Sequence, residues 1–236
     1  MLFRSELFPL LATFGCYQDW DAIYQFCYGN RKEAYEESRI RSYFGLATHS
    51  GQLVFAPLAA LAFRQGLIPP AHSKTVLQIP RPWLDTSLER GWPGPRFLEG
   101  PATPSVETIL GSRFRVRFTD TGSTPTLEGG MPALPAGTLI RQNNVTWKAG
   151  SEGAVFTASA PAARVAVGQL GDQELALGDL TLRIGLQKDT WTCFAASAVD
   201  GKPISQSEKV LLAVVHRVEN TNMGWNEERT TVGRDW

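Results

Sequence analysis

The chain has 236 residues, with 23 Lys+Arg against 23 Asp+Glu and a formal net charge of zero. That balance excludes the basic footprint by which nucleic-acid binders neutralise phosphates, and 43% hydrophobic residues exclude a disordered chain. Three cysteines, none in a C-x-x-C pair, exclude a disulfide framework. No apolar run reaches the roughly 18 residues of a membrane helix, so neither nucleic acid nor a membrane is an expected partner. The three histidines stand apart without metal-ligand spacing, and no motif calls for a cofactor. All five tyrosines, Tyr17, Tyr24, Tyr28, Tyr35 and Tyr43, fall at the start of the chain, which points to two unlike parts.

In chain order, Leu7, Phe8, Leu10, Leu11, Phe14 and Tyr17 recur at helical spacing, with Ser5 as the expected N-cap and Pro9 near the helix start. The stretch from Ala22 to Tyr28 is apolar or aromatic on both parities and closes on Gly29-Asn30, the pattern of a strand buried on both faces. Residues 31–43 are charged and read as a short helix or a loop. The run from Gln52 to Gln65 predicts an apolar helix kinked at Pro57 and ended by Gly66. A Pro-rich connector follows, with KTVLQIP as one strand and with Trp83, Trp92 and Phe97 as side chains that need burial. From Val106 onward the pattern is β. Arg113, Arg115 and Arg117 alternate with Phe114, Val116 and Phe118, and seven further short strands are separated by turn signals such as Gly171-Asp172 and Asp200-Gly201. Strands at this spacing predict an antiparallel sandwich.

Few residues carry a chemical signal. Asp19 and Asp21 flank Trp20 and are candidate acid/base carboxylates, but their place before the predicted strand favours capping or turn roles. Glu33, Glu36 and Glu37 read as a solvated face. Cys27 has no His-based partner in sequence to make a thiolate, so a buried thiol is expected. His49, His72 and His216 read as structural. Asn144-Val145-Thr146 matches a glycosylation sequon. Trp225, in the polar final segment, is read as a plug between domains, with stacking on a sugar as the alternative.

The stretch PLLATFGCYQDWDAIYQFCYG resembles the last helix-to-strand step of retaining (β/α)8-barrel glycoside hydrolases, in the group that includes cellulases and β-galactosidases. Ala22 stands where that group usually has Gly. The run QLVFAPLAALAFRQGLIPPA is similar to their closing barrel helix, and the stretches from Asn143 to Gly171 and from Ser197 to Trp236 to their C-terminal β-sandwich.

The resemblance implies a mixed, mostly β chain: residues 1–80 a C-terminal remnant of a TIM barrel, 81–104 a Pro-rich connector, and 105–236 an antiparallel β-sandwich. Residues 1–5 lie outside it and read as a scar. It also implies that both catalytic carboxylates lie upstream of Met1. No catalytic residue is therefore assigned, and the chain alone is expected to be inactive. Tyr28 and then Phe26 are the implied sugar-binding residues, as aromatic walls for a pyranose. The implied parent reaction is hydrolysis of a β-glycosidic bond with retention, a carbohydrate is the expected partner, and a secreted or periplasmic parent fits. The rival reading is a non-catalytic carbohydrate-binding or protein-interaction module. If the barrel remnant stands alone, its aromatic strand and residues Leu53, Phe55, Leu58, Leu61 and Phe63 of the following helix are expected to be partly exposed, and the sandwich is expected to fold by itself.

Overall fold

The computed structural model describes residues 5–29, 45–89, 103–130, 136–142, 144–150, 153–185 and 190–218, together with Lys32, Gly91, Leu134, Gln187 and Asn220. Glu33, Glu36, Glu37, Trp92, Phe97, Trp225 and nearly all of 31–43 lie outside the described residues. The chain is mostly β. Its helices are α1 (Leu7–Gln18), α2 (Ser50–Leu53), α3 (Ala56–Arg64), α4 (Arg81–Glu89) and α5 (Val106–Gly111). Its strands are β1 (Lys74–Pro80), β2 (Arg113–Thr119), β3 (Thr126–Gly129), β4 (Thr138–Gln142), β5 (Val145–Gly150), β6 (Gly153–Ala160), β7 (Ala163–Gln169), β8 (Glu174–Leu177), β9 (Leu180–Arg183), β10 (Trp191–Ala198) and β11 (Val210–Val215).

Three sheets result. The largest is a six-stranded antiparallel sheet in the order β11-β10-β7-β6-β5-β4. A small sheet sets β1 between β2, its parallel partner, and β3, its antiparallel one. The hairpin β8-β9 is the third. Sheets of antiparallel strands are present as expected, but within residues 105–236 Val106–Gly111 is helical and β2 pairs in parallel with β1, which lies outside that range. Among the described residues the only parallel strand pair is β1–β2, and no barrel sheet is formed.

Strand alternation sorts side chains of the large sheet into two clusters. Phe156, Ala158, Ala160, Val165, Val167, Cys193 and Ala195 face Cys16 and Tyr17 of α1 and Phe55 and Leu58 at the start of α3. From the same strands, Ala166, Phe194 and Ala196 face the opposite way, onto Leu177 and Leu182 of the hairpin. Both sides of β7 and β10 are therefore dry. Small residues keep the helix-facing surface shallow, and α3 packs directly on β10. Gly15 serves the same closeness between helices: a Cβ there would lie 2.8 Å from both Ile23 and Phe63. Gly168, at φ +137, permits a β6–β7 approach in which a Cβ would meet the Ala154 carbonyl oxygen at 2.0 Å.

The hairpin is fastened by Arg164, whose side chain is 4% exposed. Its Nη1 donates to the Ala163 carbonyl at 3.1 Å, its Nε donates to the Leu177 carbonyl, and its Nη2 pairs with Asp179. Hydrogen bonds from Ser205 and then Arg164 hold the Asp179 carboxyl below its ordinary range.

Several expectations are corrected. Ala22–Tyr28 is not a strand. Within it only Cys27 makes a β-bridge among the described residues, parallel to Gly45. Tyr24 and Phe26 are consequently 90% and 83% exposed. Ser5 is not the cap of α1: Glu6 holds that position without a side-chain cap bond. Pro57 does not kink a helix. It sits in the first turn of α3, where its missing N–H costs nothing, and α2 ends before it. Phe55 and Leu58 are buried, at 0% and 2% exposure, because the sheet covers them.

Truncating a buried aromatic or aliphatic core side chain costs about 2–5 kcal/mol, against a total stability of about 5–15 kcal/mol. Removing Tyr17, Phe55, Leu58 and Ile68 together from the shared core costs about 8–20 kcal/mol on that scale, as much as the whole stability. Residues 105–236 expressed alone should therefore show no cooperative thermal transition, whereas the whole chain should; a sharp melt of the truncated chain would show that the sheet needs no helical cover.

Candidate functional site

A cleft of about 860 Å³ opens beside α1. One wall is the helical stripe Leu7, Leu10, Leu11 and Phe14, whose i, i+3, i+4, i+7 spacing puts all four on one face. Trp20, Tyr24, Gln25 and Phe26 form another, and Ile109, Leu110, Phe114 and Trp147 close it. The floor is aromatic: Phe14 stands 6.1 Å from Trp147 and 5.5 Å from Phe156, and Trp147 meets Phe156 edge-on at 5.9 Å.

The cleft exists because α1 ends abruptly. Asp19 adopts φ 59, and the Asp19 and Trp20 amides donate back to Cys16 and Gly15, a left-handed helix stop. Arg115 then locks the turn. Its Nη1 donates to the Gln18 carbonyl at 2.7 Å, and its Nη2 donates to the Asp19 carbonyl at 2.8 Å and to the Asp19 carboxylate at 3.2 Å. A cation on the last carbonyls also complements the helix dipole.

Gln18 is the second fastening. It is buried, with Nε2 donating to the Ile109 carbonyl and Oε1 accepting from the Phe114 amide, both at 2.9 Å. Tyr17 adds a third tie, its hydroxyl donating to the Gly111 carbonyl at 3.0 Å. Burial pushes the Tyr17 phenol up to about 12, so it remains a donor throughout the neutral range.

Of the residues singled out in sequence, Phe26 lines the cleft and Tyr28 does not. The Tyr28 carbonyl instead accepts from the Leu46 and Ala47 amides, and its ring is 54% exposed. Trp20, Tyr24 and Gln18 line the cleft without having been singled out as binding residues. Their signal was the helix stop at Asp19, which turns the following residues back across the α1 stripe. Asp19 is engaged with Arg115, and Asp21 is exposed and away from the cleft lining.

Glu6 is the one carboxylate among the described residues that line the cleft. Glycoside hydrolysis needs two, one on each side of the scissile bond. The described residues contain no group of three or more His, Cys, Asp or Glu side chains that could hold a metal ion. No described helix is long and apolar enough to cross a membrane.

The remaining candidates lie outside the cleft lining. His49 is buried and caps α2, its Nδ1 accepting from the Gln52 amide at 3.2 Å. A ring nitrogen of His216 lies 3.0 Å from the Trp191 carbonyl, and His72 is exposed. Cys16 and Cys193 are buried and Cys27 is partly exposed, which departs from the buried thiol expected at Cys27 because its segment has no cover. Burial pushes the Cys16 and Cys193 thiols up, with the Glu6 charge adding to the effect at Cys193. Asn144 of the sequon is exposed at the β4–β5 turn.

No family model, no curated protein and no solved structure matches the chain.

Gln18→Ala removes both ends of the clamp and strands the Phe114 amide and Ile109 carbonyl. A loss of about 1–3 kcal/mol is expected in denaturant unfolding. Gln25→Ala, on an exposed side chain whose amide donates to the Cys27 carbonyl, should leave the midpoint nearly unchanged. Equal effects of the two substitutions would contradict the role given to Gln18.

Proposed function

We propose that this chain belongs to a glycoside-hydrolase-like protein, in which it supplies an aromatic sugar-contact surface on a helix-and-sheet support, while the hydrolytic carboxylates lie elsewhere in the parent. The observation that carries this reading is the cleft itself. Phe14, Trp20, Tyr24, Phe26, Phe114 and Trp147 offer ring surface, with the amides of Gln25 and Gln52 among them. Aromatic faces pack on the apolar face of a pyranose, and a few placed polar groups fix the hydroxyls. Tyr28 extends the same aromatic segment beyond the cleft.

The barrel-remnant reading has its own support. The order of α1, an extended aromatic segment, and then α2 and α3 is that of the sequence resemblance. The parallel bridge between Cys27 and Gly45 and the exposed rings of Tyr24 and Phe26 suit a strand that lacks its neighbours. In this reading the six-stranded sheet buttresses the helices that follow the barrel strand.

One observation favours the rival, a non-catalytic carbohydrate-binding module: Glu6 is the single carboxylate of the described lining, and binding without turnover needs no second.

Trp20 and Trp147 make the cleft readable by fluorescence. Titration with β-linked oligosaccharides should perturb their emission, and Phe26→Ala should weaken binding by about tenfold, the loss of roughly 1.4 kcal/mol of ring contact. Aryl β-glycosides should not be turned over. An emission spectrum unmoved by any β-linked sugar would overturn the carbohydrate reading. Retardation in a polysaccharide affinity gel should accompany binding in the cleft.

A further inference from the structure

The two edges of the six-stranded sheet are built differently. β4 carries an exposed Arg141 and a register shift between Thr138 and Ile140, devices that discourage a further strand from pairing. β11 has neither. Its register with β10 is unbroken from Cys193↔Val215 to Ala198↔Val210, and within it lie no charge and no proline. Val210, Leu211, Leu212 and Val214 are exposed at 41%, 39%, 55% and 46%, so the strand shows apolar side chains on both faces. No described residue pairs with its outer edge.

The backbone direction of that edge is known. The Val199 amide donates to the Lys209 carbonyl, so Lys209 and, by alternation, Leu211, Ala213 and Val215 turn their amides and carbonyls toward β10. Val210, Leu212 and Val214 turn theirs outward.

We propose that β11 is a self-association edge, along which two copies of this chain pair antiparallel about a two-fold axis through Leu212. Residues opposite each other in an antiparallel pair share a face, and a two-fold axis perpendicular to the sheet keeps faces, so only registers centred on a residue are allowed. Centring on Leu212 opposes each outward residue to an outward residue: Leu212 to Leu212 of the partner subunit, and Val210 to Val214 of the partner subunit. All the outward amides and carbonyls of the strand are then paired, and its exposed apolar residues lie against their own kind. The charges flanking the strand favour this register over the one centred on Ala213. Glu208 comes opposite His216 of the partner subunit, next to Arg217 of the partner subunit. Shifting the axis to Ala213 would set Lys209 against Arg217 of the partner subunit, two like charges. Among the described strands each copy has one such edge, so pairing closes at a dimer and does not propagate. A single strand edge is a small interface, and association is therefore concentration-dependent. The proposal is independent of the carbohydrate reading.

Sedimentation equilibrium of the full chain from micromolar to millimolar concentration tests it. The mass should rise from 25.9 kDa toward twice that value. Leu212→Lys, at an exposed position, should keep the thermal midpoint and remain a monomer throughout; Val214→Lys serves in its place if the first variant fails to fold. The register is read by cross-linking in a Cys27→Ser background with diamide as the oxidant. Leu212→Cys should give a covalent dimer, because opposed Cα atoms stand about 5.5 Å apart, within disulfide range. Leu211→Cys should not, because its counterpart is displaced along the strand. A wild-type chain that stays monomeric at every concentration would overturn the proposal. So would a dimer that survives Leu212→Lys, or cross-linking through Leu211→Cys as efficient as through Leu212→Cys.

Discussion

The helix-facing side of the six-stranded sheet is lined by Phe156, Ala158, Val165, Val167, Cys193 and Ala195, and these residues are dry only while α1 and the start of α3 lie on them. A sheet of this size buries one face easily, but its other face needs a second layer. The hairpin β8–β9 covers one side; helical residues from far earlier in the chain cover the other. Tyr17, Phe55 and Leu58 therefore belong to the core of the sheet although they precede its first strand by long stretches of sequence. Their burial dictates where α1 must sit, and the rest of the structure follows from that seating.

Once α1 is seated, its end must be held. Arg115 grips the last carbonyls, Gln18 bonds both to α5 and to β2, and Tyr17 reaches the end of α5. Together these ties set the helix stop at Asp19 against the small β1–β2–β3 sheet. The aromatic segment that follows is left leaning over the exposed stripe of α1, and the cleft is the space between them. Its ring surface is brought together by that packing, with Arg115, Gln18 and Tyr17 as the fastenings. Arg164 plays the corresponding part on the opposite face, where it holds the hairpin over Phe194 and Ala196.

Most strands after Val106 were legible because their signals are local: Arg113–Phe118 alternates residue by residue, and paired turn residues such as Asp200-Gly201 mark where a hairpin reverses. The strand KTVLQIP and the periodic stripe of α1 were legible for the same reason. Ala22–Tyr28 was misread because aromatic density on both parities reports what a segment can bury, and says nothing of whether neighbours are present to bury it. Pro57 was misread because a proline inside a helix and a proline at a helix start have the same sequence signal. At the cleft, Phe26, implied by the resemblance, is one of the lining residues. Gln18, Trp20 and Tyr24 line it without having been singled out in sequence as binding residues, because the lining is assembled across contacts as distant as Tyr17 to Gly111, separated by 94 residues. The capping role of His49 was hidden for a similar reason, since a lone histidine carries no directional pattern in sequence.

The central claim is that α1 and α3 with the large sheet form one cooperative unit. Native-state hydrogen exchange measures this directly, because amides that open together share one free energy of opening. The amides of Ala12 to Tyr17 and Ala59 to Ala62 are expected to exchange with the same free energy as those of Val165 to Val167 and Cys193 to Ala195, and to shift with them as denaturant is added. Helical amides that exchange through a separate, cheaper opening while the strands stay protected would contradict the account.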